Sequence, residues 1–160
     1  MGLNILGLDS KKTKDLAKDL NSLLANFQTY YQNLRGIHWN IRGKQFFELH
    51  VKFEELYTEA NVNVDEIAER VLTLGETPLH TFSDYTEVSE VRVGKNVSDD
   101  KKAVELIVES LSILLKIERS ILDKAGDAGD EGTNSMMSDL ITEQEKTIWM
   151  MKAWLGETTV

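Results

Sequence analysis

The sequence contains no cysteine, a single proline, and only three histidines among its 160 residues. Without cysteine neither a disulfide framework nor a thiolate metal site can form, and the cytoplasm is the expected compartment. One proline and ten glycines leave room for long uninterrupted helices. No apolar run approaches the roughly 20 residues needed to cross a bilayer. The segment from Met1 to Ser10 lacks the charged start and apolar stretch of a signal peptide. A net charge of −9 disfavours phosphate backbones for the chain as a whole and favours cations near its surface.

What is present is helical periodicity. The length and the 41% hydrophobic content suit one domain, 1–160, around one core. Apolar residues at spacings of three and four predict four helices, over about Ser10–Trp39, Lys44–Leu74, Asp99–Lys124 and Thr133–Leu155. The second stripe runs from Phe46 through Phe53 and Ile67 to Val71 and Leu72. Asp9 or Ser10 caps the first helix and Ser98 the third; Gly75 and Pro78 mark the end of the second. The linkers Asn40–Gly43 and Ala125–Gly132 are short, whereas Gly75–Val97 is long enough to return along the bundle, with a short extra helix over Phe82–Ser89. This is an all-α, four-helix bundle with one crossover, the ferritin-like variant.

Chemistry concentrates on the first two helices. His38 and His50 lie at the two sides of the first linker, so a hairpin brings them to one end of the bundle. On the second helix, Glu54, Asp65 and Glu69 fall at about 40°, 60° and 100° from His50, on one face. Yet His50 and Asp65 are separated by roughly 22 Å of helix axis. Metal–ligand bonds are about 2 Å, so no single ion reaches both within one chain. Two copies of this helix packed antiparallel about a two-fold axis would set His50 of one against Asp65 of the other. Imidazole plus carboxylate suits Fe(II), Mn(II) or Zn(II), and oxidation chemistry only with iron. A di-iron centre inside one bundle needs Glu-x-x-His on two helices. No histidine follows His80, which excludes it.

The run His38-Trp39-Asn40-x-x-Gly43-x-x-Phe46-x-x-Leu49-His50, then Phe53-Glu54-Glu55-Leu56-Tyr57 and Asp65-Glu66-Ile67-Ala68-Glu69-Arg70, resembles the signature of the Dps family of mini-ferritins. The likeness extends to Leu74-Gly75-x-x-Pro78 and to Trp149-Met150-x-Lys152-Ala153. It implies a twelve-subunit shell with ferroxidase sites at two-fold interfaces. His38, His50 and Glu54 would come from one subunit and Asp65 and Glu69 from its partner, holding up to two iron ions. Glu54 stands where many members have aspartate. Trp39 matches the tryptophan beside the family's metal centre, a candidate electron donor, with packing at the interface as its alternative role. The implied reaction oxidises Fe(II), with hydrogen peroxide the preferred oxidant in many members and oxygen the other, and stores Fe(III) in the cavity, which protects against oxidative damage.

The resemblance also implies acid-lined pores near the start of the last helix. Asp127, Asp130, Glu131 and Asp139 are the candidates, although Ser135 stands where an acid is common. The second expectation, compaction of DNA at the nucleoid, is weaker. Lys11, Lys12, Lys14 and Lys18 are interleaved with Asp9, Asp15 and Asp19 and fall within the first helix, and the last five residues contain no lysine.

Overall fold

The computed structural model describes residues 2–160; Met1, the first residue of the domain expected over 1–160, lies outside them. Five helices follow one another: α1 Ser10–Asn40, α2 Phe46–Thr73, α3 Phe82–Val88, α4 Asp100–Ala128 and α5 Glu131–Trp154. The four long ones form the bundle. α1 packs against α2, α3 and α4, and α4 packs against α5. The core is built from the predicted stripes, with Leu20, Leu23, Phe27, Leu34, Phe53, Ile67, Ile107 and Leu114 all buried. Leu72 departs from expectation and is exposed.

Helix ends follow their chemistry. Asp9 caps α1 by accepting from the backbone N–H groups of Lys11 and Lys12, at 2.9 and 3.0 Å. α2 starts two residues later than expected and ends at Thr73, one residue before the expected Leu74, which is its C-cap. Gly75 takes a positive φ of 90°, and Glu76 N–H donates to Val71 O at 3.1 Å to close the last turn. For α4 the cap is Asp99, accepting from Lys102 N–H, rather than Ser98. α4 also runs four residues past its expected end, so the linker shrinks to Gly129 and Asp130.

The crossover is tied to α1 by three asparagines. Asn21 accepts from Leu79 N–H and donates to Thr77 O. Asn26 Oδ1 accepts from the N–H groups of Glu90 and Val91. Asn33 donates to Arg92 O and accepts from Gly94 N–H. These contacts advance along α1 as the crossover advances, so the connection runs parallel to α1. Arg42 N–H then meets Ser98 O, which starts α4 at the end of the bundle where α2 began.

Asp130, expected at a pore, is only 2% exposed. It caps α5 through Thr133 N–H at 3.0 Å and accepts Arg70 Nη2 from α2 at 2.5 Å, while Arg70 Nε donates to Thr133 Oγ1 at 2.9 Å. A buried carboxylate so satisfied holds α2 against the start of α5 and does not face solvent in this chain. A Cβ on Gly132 would lie 2.9 Å from Arg70 Nη2, so glycine there leaves room for the guanidinium. We expect Asp130→Ala to lower stability by about 3 kcal/mol, combining a lost cap and an orphaned arginine. Asp130→Asn, which keeps the capping oxygen, should lose less. Thermal unfolding at fixed protein concentration checks both.

Further along α5, Gln144 Nε2 donates to Glu118 of α4, which is fully buried, at 2.5 Å. Burial raises its carboxyl from 4.5 to about 8, against the opposing pull of the Gln144 hydrogen bond. Between those values the unfolded chain has released the proton that the folded chain keeps. Stability therefore falls as pH rises through that window and levels off above it. Glu118→Gln abolishes this contribution. Its stability relative to the native chain should grow from pH 4.5 to 8, as read from thermal midpoints across pH; a pH-independent difference would contradict the assignment.

Candidate metal centre

The α1–α2 hairpin brings His38 and His50 face to face. Their rings stack with centroids 3.8 Å apart and planes 11° from parallel. Each ring is held by the other's backbone. His38 Nδ1 lies 2.6 Å from His50 O, and His50 Nδ1 lies 2.8 Å from His38 O. A carbonyl oxygen only accepts, so both Nδ1 atoms carry hydrogen. Nε2 of each ring is left as the atom that could take a metal, since a carbonyl fixes the other nitrogen. Phe46 stacks on the outer side of His50 at 4.9 Å, and the Tyr57 ring meets His38 edge-on at 5.2 Å. His38 is buried and His50 half-buried.

The carboxylates are placed differently. Glu54, Asp65 and Glu69 are all exposed on α2. Among the described residues their side chains have no hydrogen-bond or ion-pair partner. Asp65 and Glu69 stand roughly 22 and 28 Å along the helix from His50, by rise per residue. Among the described residues, no three His, Asp or Glu side chains of one chain converge on a possible ion position. The structure thus joins the two histidines and keeps Asp65 and Glu69 apart from them.

The α2 face that carries Asp65 and Glu69 is also apolar. Phe47, Val51, Val62 and Leu72 are each more than half exposed. They fall within about 80° of one another around the helix, together with both carboxylates. These four side chains form an apolar stripe that the rest of the described chain leaves uncovered. Trp39, beside His38, is 57% exposed, with the Arg35 guanidinium 4.8 Å over its ring. Asp127, Glu131 and Asp139 are exposed near the α4–α5 turn.

Periodicity alone did not single out the polar residues inside the bundle. Glu118 falls between Leu114 and Ile121 in the α4 stripe, and Gln144 between Leu140 and Met151 in α5. A charged residue at a core register is the signal that marks it.

Comparison with known proteins follows the same lines. The ferritin-like domain family matches residues 17–159. An uncharacterized protein of Haemophilus influenzae is 47% identical, the match covering 96% of each chain. A DNA protection during starvation protein of Porphyromonas gingivalis is 40% identical over 95% of this chain and 96% of its own length. The crystal structure of a Dps protein of Vibrio cholerae, described as one of the ferritin-like diiron-carboxylate proteins, superposes with a TM-score of 0.94 at 50% identity, covering 97% of this chain and 98% of that one.

Because each Ala substitution at His38 or His50 leaves the backbone carbonyl in place, one hydrogen bond survives in each single variant. A double-mutant cycle on stability therefore isolates the ring stack, and we expect a coupling of about 0.5–1.5 kcal/mol.

Proposed function

The chain belongs to the ferritin-like family, in its Dps group, and on that premise we propose that it is a ferroxidase and iron-storage protein whose sites form between paired subunits of a twelve-chain shell. The observation that carries the reading is the His38–His50 pair, one ring from α1 and one from the start of α2, each fixed through Nδ1, with Asp65 and Glu69 toward the other end of α2. An antiparallel partner copy of α2 would lay its own Asp65 and Glu69 against this pair and would bury the apolar stripe at the same time. Glu54, one turn beyond His50, then adds a third group from the first chain. Such a set of imidazole and carboxylate ligands accepts Fe(II) as substrate, with room for two ions.

Two Fe(II) each give up one electron, and one hydrogen peroxide takes the pair. Its O–O bond breaks and two protons complete two waters. The residues bind and orient the iron, whose own chemistry carries the electrons. Trp39 stands beside the site as a candidate donor of a further electron. Removing iron and peroxide together limits radical damage, and the ferric product is stored in the cavity. Asp127, Glu131 and Asp139 remain candidates for the acidic entry route; acids there offset the positive end of α5, which repels cations. The cytoplasm, where ferrous iron and peroxide meet, is the compartment this function suits. Among the described residues no helix is long and apolar enough to cross a membrane.

DNA compaction is the second reading, favoured by the names of the relatives. Lys11, Lys12, Lys14 and Lys18 lie within α1, and Lys12 Nζ donates to Asp127 O at 2.7 Å. With an overall charge of −9, binding should be weak and vanish at physiological salt in a gel-shift assay.

In peroxide-driven Fe(II) oxidation, His50→Ala and Asp65→Ala should lose rate by similar factors, at least about ten-fold. Twelve chains of 18.2 kDa should elute near about 220 kDa. Loss from His50→Ala alone, or elution as a monomer, would overturn the intersubunit site.

A further inference from the structure

The Tyr57 ring of α2 joins the histidine pair to a wider set of aromatic contacts. It meets His38 edge-on at 5.2 Å and Tyr31 edge-on at 6.2 Å. Both are separations of rings in contact. Tyr57 is half-buried, and among the described residues its hydroxyl bonds to no group of the chain. That oxygen is not sealed from solvent. Trp39 differs. Among the described residues its ring pairs with neither histidine ring, and the Arg35 guanidinium lies 4.8 Å over its face. The same guanidinium lies 5.5 Å over Tyr31. A cation held on a ring face stabilises the neutral ring and opposes removal of an electron from it. Phe46 also meets a histidine, but phenylalanine has no hydroxyl proton to release with an electron. Tyr57 therefore combines contact with a histidine, an oxidisable phenol and no cation on its face.

We propose that Tyr57, and not Trp39, supplies the second electron when a site meets peroxide with only one Fe(II) bound. The proposal rests on the ferroxidase reading above. Peroxide needs two electrons and a single Fe(II) yields one. Breaking the O–O bond with that one electron would leave a hydroxyl radical. Tyr57 lies one ring contact beyond His38, a ligand in that reading. Its phenol gives up one electron together with its proton, and a second proton comes from water. Peroxide leaves as two waters, and one Fe(III) and one neutral tyrosyl radical are formed. A later Fe(II) returns the electron, water returns the proton, and the phenol is restored. Arg35 keeps the oxidising equivalent from moving outward to Tyr31 and to the exposed Trp39.

The test loads the assembled protein anaerobically with one Fe(II) per site, adds peroxide and freezes the sample for EPR. The native chain should give a radical signal that narrows when its tyrosines are ring-deuterated and does not change when its tryptophans are. This arm needs no variant. Tyr57→Phe keeps a ring beside His38 and removes the hydroxyl. It should lose the tyrosyl signal, and hydroxyl radical caught by a spin trap should rise per Fe(III) formed. Trp39→Phe and Tyr31→Phe should keep the signal. Arg35→Gln should add a component that narrows with deuterated tryptophan. A tryptophan-borne signal in the native chain, a tyrosyl signal unchanged by Tyr57→Phe, or Fe(II) oxidation with no protein radical would overturn the proposal. An Arg35→Gln spectrum identical to the native one would overturn the part given to Arg35. Fe(II) left unoxidised by peroxide would instead sink the ferroxidase reading, and this proposal with it.

Discussion

Along an α-helix, residues fifteen apart are held roughly 22 Å apart, and α2 is one unbroken helix from Phe46 to Thr73. That rigidity governs the rest. Two histidines sit at one end of the rod and two carboxylates toward the other, and no rotamer closes the gap. The hairpin can sharpen the histidine end, and it does so by reciprocal hydrogen bonds that fix both rings. It cannot bring Asp65 or Glu69 to them. A site using all four needs a second rod, reversed, and the exposed apolar stripe on the same face gives that second rod a reason to bind.

The bundle leaves the outer face of α2 free. Asparagines at positions 21, 26 and 33 of α1 carry the crossover along the other side of the bundle. The Arg70–Asp130–Thr133 contacts fasten the far end of α2 to the start of α5. Both devices are polar and local, and each satisfies backbone or charge that would otherwise be buried alone. Their effect is to spare the α2 surface from packing within its own chain.

Much of this was legible in the residues. Stripe periodicity, Gly75 with Pro78, and one long linker give the helices and the single crossover. The pairing of His38 with His50 follows from the short linker between them. What periodicity could not show was whose side chain takes each polar contact. Ser98 and Asp99 both suit a cap, and only backbone geometry selects Asp99. Asp130 looked like one more acid in an acidic loop. Its role depends on Arg70, sixty residues earlier, arriving beside it. Leu72 fits the α2 stripe by spacing, yet it lies on the exposed edge, where a partner rather than the chain's own core would cover it. Glu118 and Gln144 sit at core registers, a conflict with burial that their pairing across α4 and α5 resolves.

Co-assembly of two inactive variants tests the reversed-rod arrangement most directly. A chain carrying His50→Ala and a chain carrying Asp65→Ala each spoil every site when assembled alone. In a mixed pair, one site has both substitutions and the other has neither. With random pairing, half the pairs are mixed, and about a quarter of all sites are intact. The account predicts that shells containing both variants recover about a quarter of native Fe(II) oxidation. Mixed shells no more active than either parent would contradict it.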